Sequence, residues 1–89
     1  MSDEVTRLIQ DALASIKQPY PDDIIDRVCW VIHNDVDLSE RYHKLANTFD
    51  KSVINPLIGS ATRDLTGLKS SGERRKATCP LIGTYSVLK

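Results

Sequence analysis

The sequence predicts an all-α domain: a small bundle of four helices followed by a short C-terminal element. Three observations carry that expectation. Four segments repeat apolar residues at i, i+3 and i+4, the spacing of one helix face. Helix-ending residues separate them, at Pro19 and Pro21, Asn34 to Asp37, Phe49 to Ser52, and Gly67. One segment, Pro21 to Asn34, is apolar over so wide an arc that several others must cover it.

Ser2 suits the cap of a first helix. Val5, Leu8, Ile9, Ala12, Leu13 and Ile16 then keep helical phase until the two prolines, which disfavour helical backbone in the residues before them. The second segment reads PDDIIDRVCWVIHN. Pro21 lacks an N–H, which a first helical turn does not need, and Asp22 and Asp23 face the positive end of the helix dipole. Ile24, Ile25, Val28, Cys29, Val31 and Ile32 follow. At about 100° per residue they span roughly 160°. The single tryptophan, Trp30, falls outside that arc beside Asp26, Arg27 and His33. Either another part of the chain covers it or a partner does, since tryptophan concentrates binding energy at interfaces.

Asp37 and Glu40 fit a capping box for a third helix with a narrow stripe of Leu38, Tyr42, Leu45, Ala46 and Phe49. Glu40 and Lys44 pair favourably on its outer side. The fourth helix starts at Ser52 or at Asn55, the latter with Pro56 as its first residue. Leu57, Ile58, Ala61 and Leu65 continue its stripe, and Gly67 with Leu68 forms its stop. Residues 69–77, KSSGERRKA, have no apolar periodicity and read as a basic flexible loop within one domain, 1–89. Thr78 to Lys89 fits a short helix through Leu81, Ile82, Tyr85 and Leu88, while its Ile, Thr, Tyr and Val content suits a strand. A lone strand among helices has no pairing partner, so the short helix is the expectation unless a homodimer supplies one.

At 89 residues, 40% hydrophobic and 27% charged, the chain has the size and composition of one globular domain. Its longest strictly apolar run, Val28 to Ile32, is far too short to cross a membrane. The start carries Asp3 and Glu4, so no signal peptide is expected. Two cysteines without metal spacing fit a reducing cytoplasm. Charge is segregated: residues 1–40 hold nine acidic and three basic side chains, and 41–89 hold three and nine, so the halves carry −6 and +6. Such asymmetry suits a nucleic-acid face, or two halves that attract each other.

The third and fourth segments outline a helix-turn-helix, whose second helix enters the DNA major groove. In that reading Asn55, Thr62 and Arg63 read bases, Gly59 lets backbone approach a phosphate, and Lys69, Arg74, Arg75 and Lys76 neutralise phosphates. Against it, the turn lacks glycine, Pro56 occupies a position that usually holds a buried aliphatic residue, and Asp64 sits beside Arg63. An ordinary helical hairpin with a solvated basic loop has the same outline. The expectation is a small cytoplasmic regulatory DNA-binding protein, a possible homodimer. The alternative is a protein-interaction module with Trp30, Leu81, Ile82, Tyr85 and Leu88 at the contact. Cys29 and His33, one turn apart, could be joined by His43 and Cys79 only in a spacing unlike known zinc sites, so no metal is expected. The acids Asp22, Asp23 and Asp26 suit a helix start rather than catalysis, and there is no phosphate loop or nucleophile elbow, so neither cofactor nor enzymatic activity is expected.

Overall fold

The computed structural model describes residues 2–89 and shows an α+β fold. Helices α1 (Ser2–Leu13), α2 (Ile24–Asn34), α3 (Val36–Phe49) and α4 (Lys51–Thr66) precede an antiparallel hairpin of β1 (Ser70–Lys76) and β2 (Thr84–Leu88). The all-α expectation is therefore corrected at the C-terminus. The segment expected as a flexible loop is strand β1, and the expected short helix is strand β2. The strand that seemed to need a second copy finds its partner in its own chain.

The helices begin and end where local chemistry satisfies their free backbone groups. Asp35, not Asp37, caps α3: its Oδ1 accepts from the Leu38 N–H at 2.9 Å. Asp50 caps α4, accepting from the Lys51 N–H at 2.7 Å and the Ser52 hydroxyl at 3.1 Å. That start precedes both expected ones, and it leaves Pro56 inside the helix. Gly67, at φ 72°, closes α4 in the left-handed conformation that its lack of Cβ allows. Helix α2 starts at Ile24, three residues after Pro21.

The hub expectation holds: α2 packs against α1, α3, α4 and β2. Ile24, Ile25, Val28, Cys29 and Ile32 are buried and Val31 is half-buried. The core adds Val5, Leu8 and Ile9 from α1, Tyr42 from α3, and Ile54 and Ile58 from α4. The hairpin closes it with Cys79, Leu81, Tyr85, Val87 and Leu88. The Leu88 N–H also donates to the Asp22 carbonyl at 3.0 Å, tying β2 to the entry of α2.

Strand β1 pairs Arg74 with Ser86, Arg75 with Tyr85 and Lys76 with Thr84, and farther along Ser70 with Leu88. The register shifts between Ser70 and Arg74, where Gly72 adopts φ 86°. Reciprocal backbone bonds between Lys69 and Lys89, both 2.9 Å, fasten the open end. No helix among the described residues is long and apolar enough to cross a membrane.

Candidate functional site

A cleft of about 580 Å³ separates α4 from the hairpin. One stripe of α4 forms its first wall: Lys51, Asn55, Gly59 and Arg63 recur every fourth residue, with Ser52, Pro56 and Ser60 beside them. Arg74 of β1, Thr84 and Ser86 of β2, and Ile82 from the 77–83 connection form the second. Ile25 of α2 lies beneath Gly59, whose missing side chain opens the floor: a Cβ there would meet only Ile25 Cδ1, at 3.8 Å.

The cleft's charge is one-sided. Its lining includes Lys51, Arg63 and Arg74 and no carboxylate. Neither arginine forms an ion pair among the described residues. Arg74 donates instead to the Thr84 hydroxyl at 2.8 Å and the Ser86 hydroxyl at 3.1 Å, so neutral groups hold its guanidinium and leave its charge uncancelled. Arg63 donates to the Ser60 hydroxyl at 3.3 Å.

Strand pleating separates Arg74 from its neighbour. Arg75 projects to the other face and meets Glu73 at 2.9 Å and Asp22 at 3.1 Å. These carboxylates, Glu73 foremost, raise its pKa above the ordinary arginine value. Arg75 is thus neutralised by one acid of the front half, and it leaves the expected phosphate-binding set on that geometry. Lys69 and Lys76 are exposed and lie outside the cleft lining.

The base-reading set also changes. Thr62 is fully buried, and its hydroxyl donates to the Ile58 carbonyl at 2.7 Å, so it presents nothing to a ligand. Both ends of the Asn55 amide are engaged: Oδ1 lies 2.9 Å from the Tyr42 hydroxyl and Nδ2 donates to the Leu81 carbonyl at 3.1 Å. Asn55 ties α4 to the 77–83 connection rather than offering an edge to adenine. The helix-turn-helix outline fails as well. A single residue, Asp50 at φ 73°, separates α3 from α4, whereas that motif uses a turn of about three or four residues. Of the three residues expected to read bases, only Arg63 faces the cleft with a free end.

The interface set turns inward. Leu81, Tyr85 and Leu88 are buried in the core, and Ile82 is half-buried at the cleft. Trp30 is half-buried: its indole N–H donates to the Thr78 hydroxyl at 2.7 Å, and its ring meets His33 edge-on.

Asp26 is a further structural residue that the sequence does not mark. It sat on the polar side of α2, yet it is only 5% exposed. Its carboxylate accepts from the Thr78 hydroxyl at 2.6 Å and from the N–H groups of Thr78 and Cys79, each at 3.2 Å. Through Thr78 it also orients Trp30. No local signal marks it, because its partners lie more than fifty residues away.

Cys29 and Cys79 are buried free thiols and His33 and His43 are exposed, and among the described residues no three His, Cys, Asp or Glu side chains gather as metal ligands. Burial pushes the Cys29 thiol well above its ordinary value, which suits packing and not nucleophilic chemistry. No protein-family model matches the chain, and no curated protein or solved structure is detectably similar to it.

Proposed function

We propose that the chain is a small cytoplasmic nucleic-acid-binding protein that acts through phosphate contacts in the cleft between α4 and the hairpin. One observation carries this reading: Arg63 and Arg74, which among the described residues have no carboxylate partner, share with Lys51 a cleft that none of the described acidic side chains lines. Unpaired cations facing one space hold a phosphodiester by releasing its counterions, a sequence-independent source of affinity. The role needs no catalytic group and no cofactor. Base reading by a recognition helix is no part of it.

The test is the salt dependence of binding to labelled oligonucleotides. The double variant Arg63→Gln/Arg74→Gln should weaken binding on the order of tenfold and lower the slope of log affinity against log salt by about two. Arg75→Gln should change both far less, because that charge lies outside the cleft lining beside Asp22 and Glu73. Affinity unaltered in the double variant, or lost equally in Arg75→Gln, would remove the cleft from the function.

A further inference from the structure

Building on the phosphate reading, we infer that the cleft seats a short unpaired stretch of a single strand, one base at the middle of the cleft and successive phosphates on the surrounding cations. The layout of α4 carries the argument. Lys51 and Arg63 stand at opposite ends of the stripe, twelve positions and so about 18 Å apart along the helix axis. A single phosphate cannot engage both, nor can the two phosphates that flank one base, whereas the successive phosphates of a short strand can.

Between those cations the lining changes character. Gly59 leaves a gap in the wall of α4, Pro56 stands one turn before it, Ile25 lies beneath, and Ile82 lines the opposite side. Asn55 and Ser60 stand beside them, so the middle of the cationic groove is an uncharged recess with apolar patches. Single-strand binders combine these two elements: a basic track for the backbone and apolar or aromatic surface for the splayed base. The cleft as a whole, about 580 Å³, lies within the range of about 300–1,000 Å³ typical of ligand clefts. A base joined in a duplex is stacked and paired and cannot enter the recess.

The experiment uses the full chain with a fluorescein-labelled thymidine strand of about ten nucleotides, its duplex, and inorganic pyrophosphate. Anisotropy reads the two labelled probes at ~50 mM salt, and calorimetry reads pyrophosphate. Gly59→Leu fills the recess without altering charge, and Ile82→Ala removes its far wall. Circular dichroism and thermal melts establish that each variant is folded. Single strand should bind on the order of tenfold tighter than duplex. Gly59→Leu should abolish that preference, and Ile82→Ala should reduce it several-fold, while pyrophosphate binding stays at the wild-type level in both. Duplex binding as tight as single strand, or an undiminished preference in folded Gly59→Leu and Ile82→Ala, would overturn the recess and leave the phosphate reading standing. If neither strand nor pyrophosphate bound, the phosphate reading itself would fall.

Discussion

Asp26 shows how much one buried carboxylate can hold in place. It satisfies three donors from the chain between the two strands, and Thr78 relays that order to the Trp30 indole. Truncating it leaves buried N–H groups without an acceptor, which costs more than the net worth of the bonds themselves. Asp26→Ala should therefore destabilise the fold by about 3 kcal/mol, and Asp26→Asn, which keeps one acceptor oxygen, by about half as much. Urea denaturation measures both, and Trp30 emission in the folded state should shift to the red in the alanine variant. A loss below about 0.5 kcal/mol would show that water replaces the carboxylate easily. Two glycines give opposite signs at the same scale. Gly59 lies inside a helix with room for a Cβ, so Gly59→Ala should stabilise by about 0.5–1 kcal/mol. Gly67 has φ 72°, so Gly67→Ala should destabilise by about 1 kcal/mol although its surroundings are more open still. Gly67 as a helix stop was legible from its place after the last apolar residue of α4. The roles of Asp26, Asn55 and Thr62 were not, because each depends on whether a distant segment or a buried carbonyl lies within reach.

At the scale of elements, helical periodicity held for the four helices but misled over residues 81–88, and strand β1 left no trace, for one reason. A helix satisfies its backbone internally, so its apolar stripe is written into consecutive residues. Strand β1 satisfies its backbone against β2, and almost all of its side chains are exposed. Ser, Gly, Glu, Arg and Lys therefore suffice for it, and its charges also guard an edge strand against pairing with another chain. The alternation that marks a half-buried strand survives only in β2, where Tyr85 and Val87 are buried around Ser86. Helix α4 yields the prediction that belongs here. Pro56 sits in its sixth position and has no N–H to give the Ser52 carbonyl. Pro56→Ala restores that donor while leaving the Asp50 cap intact, so α4 should gain about 1 kcal/mol or more in global stability. The gain should appear in a denaturant titration as a higher midpoint at unchanged slope. A neutral or negative result would mean that Pro56 earns its place by stiffening the unfolded chain or by packing in the cleft wall.

The whole molecule responds to alkaline pH through its buried acids. Cys29 lies in the helical core and Cys79 beneath the hairpin connection, both free and buried, and Tyr42 is fully buried between α3 and α4. Burial raises all three pKa values, most of all that of Cys29, where the nearby Cys79 and Asp26 add to the effect. The hydrogen bond with Asn55 partly offsets the rise at Tyr42. The folded chain thus holds these protons more tightly than the unfolded chain does. As pH climbs through the ordinary thiol value of 9.0 and then the ordinary tyrosine value of 10.0, the unfolded chain sheds its protons first and is favoured. Stability should be level below about pH 8 and then fall, Cys29 alone contributing about 1.4 kcal/mol per pH unit once its unfolded thiol ionises. Melting temperatures taken from about pH 7 to about pH 11 measure the decline. Cys29→Ala should start lower, because it leaves a small cavity in the core, yet descend less steeply. Parallel curves for the two proteins would locate the alkaline sensitivity elsewhere.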